Sequence, residues 1–279
     1  MRLGLSSAAF YGDGETEDQA FRVMDYPVDG VEVFLQTHQE YTAEFGHHVG
    51  DILGGMMVLS VHPKGTQFEP ELFGRSRRQV EDAFRAFSGV CDAGQALGAR
   101  YYVFHGPGGG AMTIHPRYLY DLPERFARMQ SIARERGMEV LWENVSWCAL
   151  RLPEDVEEVK ALIPNIRFTL DIKQAFRAGL PWETMMDAMG KEIAHVHLLD
   201  IRPDGGVCLP GEGTVDFGKL FRRLNKLQYQ GDVILEPYAT ETRNPEALVR
   251  SIAQRHGGSV RCLASEEGGA CFELRLPLA

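Results

Sequence analysis

Cysteine is scarce. Five residues, Cys91, Cys148, Cys208, Cys262 and Cys271, are scattered over 279 positions and form no CxxC pair. That excludes a thiolate zinc knuckle, argues against a disulfide framework, and predicts reduced thiols in the cytoplasm. Long hydrophobic runs are also missing, with none near the roughly 18 apolar residues of a membrane span. The opening MRLGLSSAAF has one positive charge and a brief apolar run, a poor signal peptide. Basic residues are in the minority, 29 against 39 acidic ones, for a net charge of −10. No nucleic-acid partner is expected, because phosphate-backbone affinity rests on clustered Lys and Arg. No composition break or linker divides the chain up to about residue 256, and no GxGxxG follows a strand.

What is present is a rhythm. Eight short apolar runs read as strands: Arg2–Ser6, Asp29–Leu35, Met57–His62, Arg100–His105, Met138–Glu143, Ile166–Asp171, Ile193–Leu198 and Asp232–Glu236. Between them lie helical patterns: a helix that Thr16 could cap, about Glu40–Leu53, Arg75–Gly98, His115–Arg136, Pro153–Ile163, a stretch broken by Gly179 and Pro181, Phe217–Leu227, and Pro245–His256. In Arg75–Gly98 the apolar Val80, Phe84, Phe87 and Val90 recur at spacings of three and four. Strands separated by crossover helices are parallel. Eight such units in about 255 residues predict an α/β fold, a (β/α)8 barrel over residues 1–256.

Six strands end in a residue able to bind a metal. LSVH stops at His62, YYVFH at His105, EVLWE at Glu143, RFTLD at Asp171, IAHVHL carries His197, and VILE stops at Glu236. Only about one residue in six is Asp, Glu or His, so chance does not account for the set. In a barrel the C-terminal strand ends face one mouth. Glu143, Asp171, His197 and Glu236 would offer three carboxylates and an imidazole to one divalent ion, Mn²⁺ before Mg²⁺, Co²⁺ or Zn²⁺, since hard oxygen donors dominate. His195, two residues back on the same face, reads as a hydrogen-bonded core histidine, and Glu32, mid-strand, as a buried structural carboxylate. The Gly106–Gly110 run could bring amides to a phosphate or hydroxyl, or form a loop over the mouth.

SVHP, VFHGPG, LWEN, LDIKQAFRAG, HVHLLD, LPGEGTVDF and ILEPY, in that order over residues 1–256, resemble the strand-end motifs of the xylose isomerase-like TIM barrels. That superfamily includes sugar isomerases and epimerases, inosose dehydratases and endonuclease IV. Resemblance to its ketose 3-epimerase branch implies that Glu143, Asp171, His197 and Glu236 hold the metal, and that Glu143 and Glu236 are the acid/base pair. A metal gripping the carbonyl and the adjacent hydroxyl of a sugar would stabilise an enediolate. One glutamate would remove the proton and the other return it: opposite faces give epimerisation, neighbouring carbons isomerisation.

The chain departs from that pattern. Related enzymes carry a histidine three residues after the sixth-strand aspartate, where this chain has Gln174, with Lys173 beside it. Lys173 is open to two readings, a substrate contact or a solvated loop lysine. Arg202, where relatives place a substrate-binding arginine, is likewise a substrate contact or a salt-bridged loop arginine. His62 and His105 complete the substrate-binding set. Endonuclease IV needs Asp-x-His before the PGEG loop; Gly205-Gly206-Val207 stands there, which disfavours DNA repair. The alternatives to a small-molecule sugar isomerase or epimerase are a metal-dependent lyase or dehydratase acting on a polyol or inosose, and a non-catalytic sugar-binding barrel, which Gln174 favours.

Residues 257–279 fall outside the barrel pattern. HGGSVRCLASEEGGACFELRLPLA resembles the end of a histidine-kinase ATPase domain, without the upstream ATP-binding boxes. A β-hairpin, Ser259–Ser265 with Ala270–Leu276 around Glu266–Gly269, is expected. Its apolar face would need cover from the barrel or a second subunit, which leaves a homo-oligomer open.

Overall fold

The computed structural model describes residues 1–108 and 115–237, together with the backbone of 259–264 and 270–275. The expected helix over Pro245–His256 and the tail's turn lie outside them, as do Gly109 and Gly110.

Seven parallel strands come first: β1 (Leu3–Ser6), β2 (Gly30–Leu35), β3 (Met57–Pro63), β4 (Tyr101–Phe104), β5 (Glu139–Glu143), β6 (Arg167–Asp171) and β7 (Ile193–Leu198). A two-stranded ribbon, β8 (Asp200–Ile201) and β9 (Val207–Cys208), follows, and then the last barrel strand, β10 (Asp232–Leu235). The eight barrel strands close in the order β1-β10-β7-β6-β5-β4-β3-β2. Closure pairs Leu3 with Val233 across nearly the whole chain and leaves the barrel sheet without an edge. Strands covered on both faces are nearly continuous in apolar character, and all six residues of β7 are buried. In the tail, β11 (Ser259–Ala264) and β12 (Ala270–Arg275) pair antiparallel as the expected hairpin.

The outer helices are α1 (Thr16–Val23), α2 (Ala43–Leu53), α3 (Arg77–Leu97), α4 (Leu122–Arg134), α5 (Pro153–Leu162), α6 (Ile172–Arg177), α7 (Trp182–Met189) and α8 (Phe217–Lys226). The predicted stripe of α3 is its buried face, with Val80, Phe84, Phe87 and Val90 all inside. Gly98, at φ 71°, ends it in the left-handed conformation that a Cβ disfavours. Three expectations are corrected. The N-cap of α1 is Glu15 rather than Thr16: Asp18 accepts the Glu15 amide at 3.2 Å, while the Thr16 hydroxyl donates inward to Glu40. The helix expected from Glu40 starts at Ala43, because Thr42 accepts the Phe45 amide. The helix expected from His115 is a short 3-10 turn, Pro116–Tyr118, before α4, with Asp121 left-handed at φ 50° between them.

Two register shifts aim the mouth residues. In the β2–β3 pairing Val31 faces Val58 but Glu32 faces Ser60, which skips Leu59. In β6–β7 Phe168 faces Ile193 but Thr169 faces His195, which skips Ala194, and Asp171 then lies opposite His197. Because side chains alternate, one skipped residue moves everything after it to the other face.

Candidate metal centre

At the C-terminal mouth one donor atom each from Glu143, Asp171, His197 and Glu236 lies within 4.8 Å of the others. Glu143 ends β5, Asp171 ends β6, His197 is on β7 and Glu236 follows β10. Two further groups meet the same distance criterion: Glu32 with His62, His197 and Glu236, and His62 with His105 and Glu143. Eight strand ends converging on one axis is what brings four separate apolar runs to one point.

His197 is the hub. Its Nδ1 is 3.0 Å from Glu143 Oε1 and 3.5 Å from Glu236 Oε2. Its Nε2 is 3.1 Å from Glu32 Oε2. Burial works against the charge on His197, but Glu32, Glu236 and Glu143 outweigh it and hold the imidazole well above its ordinary value. Burial likewise raises Glu143, and His197 and His105 override it, so this carboxyl sits well below the usual range. Glu236 follows the same balance, with Lys173 and His197 bringing it to about 2. Asp171 does not: burial, reinforced by Glu143 and Glu236 and opposed by Lys173, pushes it up to about 7.

The donor set suits a divalent cation. Among the described residues, Glu143 Oε2 and Asp171 Oδ2 are buried oxygens with no hydrogen-bond donor, although Glu143 Oε2 is 3.1 Å from His105 Nε2 and Asp171 Oδ2 is 3.4 Å from the Lys173 ammonium. Those distances are electrostatic contacts whose geometry does not satisfy the lone pairs. A buried acceptor without a donor is expensive, and cation coordination satisfies it. Glu32 is different: its oxygens take Ser60 Oγ at 2.7 Å, His197 Nε2 at 3.1 Å, His195 Nε2 at 3.3 Å and His62 Nδ1 at 3.4 Å. On this ground the Glu143–Asp171–His197–Glu236 group fits the ion better than the group containing Glu32.

The other residues singled out in the sequence separate here. His62 and His105 adjoin the cluster, their Nε2 atoms 2.7 Å apart. Lys173 is only 4% exposed, and its ammonium donates to Glu236 Oε2 at 2.7 Å, so the reading of a solvated loop lysine is overturned. Gln174 turns away: its side-chain oxygen accepts the Ser146 amide at 3.1 Å and the Ser146 hydroxyl at 2.8 Å, and its backbone amide donates to Asp171 Oδ1, the N-cap of α6, at 2.8 Å. Arg202 is exposed on the turn between β8 and β9, outside the cluster. His195 is fully buried one layer below His197, and burial keeps it below its ordinary value, toward neutrality.

Sequence reasoning missed Glu69. It lies in a short 3-10 segment, Glu69–Phe73, fully buried. It accepts Tyr102 OH at 3.0 Å and the amides of His105 and Gly106 at 3.2 Å each. The Gly106 amide is therefore committed to Glu69 and does not reach a ligand phosphate. Gly106 sits at φ 82°, where a Cβ would come within 2.7 Å of Trp142 Nε1, so both backbone and space require glycine. No signal short of the fold marks Glu69, whose partners are more than 30 residues away. Aromatic rings edge the mouth: Phe34 stands edge-on to His62 and Trp147, half exposed, edge-on to His105.

The sequence profile of the xylose isomerase-like TIM barrel family matches residues 22–255, and the chain belongs to that family. An inosose dehydratase of Glaesserella parasuis serovar 5 (strain SH0165) is 23% identical over 137 residues, 41% of this chain and 46% of that protein; the chain spans about half the length of such curated relatives. A D-tagatose 3-epimerase-like protein superposes with a TM-score of 0.69 at 18% identity, over 92% of this chain and 99% of that one. The IolI protein, solved with a zinc atom, gives 0.68 at 16% identity, over 91% and 96%. At such identities the structural likeness speaks for the fold.

Proposed function

We propose that this member of the xylose isomerase-like TIM barrel family is a divalent-metal-dependent isomerase or epimerase of a sugar or sugar derivative. The observation that carries the reading is the pair of buried donor-free oxygens, Glu143 Oε2 and Asp171 Oδ2, inside one four-residue group at the mouth. Glu143, Asp171, His197 and Glu236 would hold the ion, with Mn²⁺ the first choice for a mainly carboxylate set. When bound, the ion supplies Lewis-acid stabilisation of negative charge on the substrate's oxygens.

Glu143 and Glu236 move the proton. Both are held ionised, Glu143 by His197 and His105 and Glu236 by Lys173 and His197. The oxygens turned away from His197 and Lys173 are Glu143 Oε2, 3.1 Å from His105 Nε2, and Glu236 Oε1, 3.5 Å from His62 Nδ1. One glutamate, as the carboxylate, takes the proton from the carbon beside the carbonyl and can hand that same proton to the neighbouring carbon for isomerisation. For epimerisation the other first takes a proton from a substrate hydroxyl and delivers it to the opposite face of the carbon, and the first glutamate returns its proton to that oxygen. Lys173 keeps Glu236 oriented, and burial of the group excludes competing water.

A second reading, a dehydratase of a polyol or inosose, is supported by the inosose dehydratase relatives. It uses the same residues, with a hydroxyl leaving in place of proton return. A screen of ketoses, aldoses, their phosphates and inososes, read by product mass and stereochemistry, separates the two. A mass-neutral product supports isomerisation or epimerisation, and loss of water supports dehydration. No product from a metal-loaded protein on any class would refute both.

A further inference from the structure

We infer that Glu32 is the positioning residue of the metal centre: its one carboxylate fixes which ring nitrogen of His197, on β7, is presented to the ion, and also faces His62, on β3. The inference rests on the reading that Glu143, Asp171, His197 and Glu236 hold a divalent ion.

Glu32 is fully buried, and an ionised carboxylate offers only lone pairs. The nitrogen facing it, His197 Nε2 at 3.1 Å, must therefore carry a proton. The other nitrogen, Nδ1, faces Glu143 at 3.0 Å and Glu236 at 3.5 Å. Without an ion Nδ1 also faces a carboxylate and shares a proton with it. Glu143 and Glu236 belong to the proposed ligand group, however, so an ion held there takes the place of the Nδ1 proton, while Glu32, outside the group, keeps the proton on Nε2. The second oxygen, Oε1, faces His62 Nδ1 at 3.4 Å, a nitrogen it shares with Glu236 Oε1 at 3.5 Å, which leaves His62 Nε2 against His105 Nε2 at 2.7 Å. Ser60 Oγ and His195 Nε2 share Oε2 at 2.7 and 3.3 Å, so the carboxylate has no freedom to rotate away. A carboxylate behind a metal-binding histidine is a recognised device for setting tautomer and ring angle. Here it lies mid-strand, and the skipped residue at Leu59 brings Ser60 opposite it.

The isosteric Glu32→Gln tests this. A carboxamide can turn its NH₂ toward His197 Nε2, which allows the proton to reside on Nδ1 and block ligation. Zn²⁺ affinity is measured by chelator competition on both proteins, and ¹H–¹⁵N spectra of histidine-labelled protein are recorded before and after Zn²⁺ addition, with His197 assigned by His197→Gln. In the wild type, Nε2–H of His197 should be present and persist on Zn²⁺ addition. In Glu32→Gln, Zn²⁺ should bind about 10- to 100-fold more weakly, and the Nε2–H signal should be lost or replaced by Nδ1–H. Unchanged affinity in Glu32→Gln, or a wild-type His197 protonated only on Nδ1, would overturn the inference. The wild-type spectrum decides even if the variant does not fold. Should the wild type bind no Zn²⁺ while its His197 keeps Nε2–H against Glu32, the metal reading fails and the orienting role of Glu32 stands.

Discussion

Glu69 allows a sharp test of how the mouth is braced. Its carboxyl is buried, and burial pushes it up to about 7 from its ordinary value near 4.5, against the lowering effects of His105, Tyr102 and the Gly106 and His105 amides. A carboxyl raised on folding binds more protons in the folded than in the unfolded state between those two values. The stability that Glu69 contributes is therefore fully present below about pH 4.5 and is lost as the pH rises through 7. Moving the carboxyl from about 4.5 to about 7 corresponds to about 3 kcal/mol. Glu69→Gln removes the titration yet keeps the bonds: the amide oxygen can accept from the His105 and Gly106 amides, and the NH₂ can donate to Tyr102 OH, which rotates to accept. Denaturant unfolding of both proteins at pH 5, 6, 7 and 8 isolates Glu69 from the other titrating groups by double difference. The variant should gain on the wild type by about 2–3 kcal/mol between pH 5 and 8. Parallel curves, within about 0.5 kcal/mol, would refute the buried, raised carboxyl and with it the account of how His105 is held.

Other outcomes are expected. Glu143→Gln or Glu236→Gln should lower turnover by at least about 10²-fold with an unchanged circular dichroism spectrum; activity near wild type would remove the acid/base assignment. His197→Ala should lose the bound metal, seen as about one ion per chain in the wild type and none in the variant by elemental mass spectrometry. Asp200 is fully buried and accepts the amides of Ile201, Gly211, Gly213 and Val215 at 2.8–2.9 Å. Asp200→Ala strands these amides and should destabilise the protein by about 3–5 kcal/mol, measured by denaturant unfolding; a loss under about 1 kcal/mol would show that water or the chain replaces the carboxylate.

The sequence alone determined the barrel and the six candidate residues at its strand ends. Both follow from local repetition: an apolar run buried on both faces, a helix, and a polar residue at the C-terminal end of the strand. Such a pattern is set within ten or twenty residues, and its repetition fixes the sheet as parallel. The tertiary structure decided what depends on residues distant in the chain. Glu32 read as a structural carboxylate because its partners, on β3 and β7, are 28 to 165 positions away, and because a skipped residue at Leu59 sets the register against Ser60. Lys173 read equally well as a loop lysine; only closure of the barrel brings Glu236, 63 positions on, to its ammonium. Gln174 stands where relatives carry a histidine, but its side chain braces Ser146 on the loop after β5. The local pattern states which residues end the strands. Register and closure, which no local window contains, decide which of them face one another.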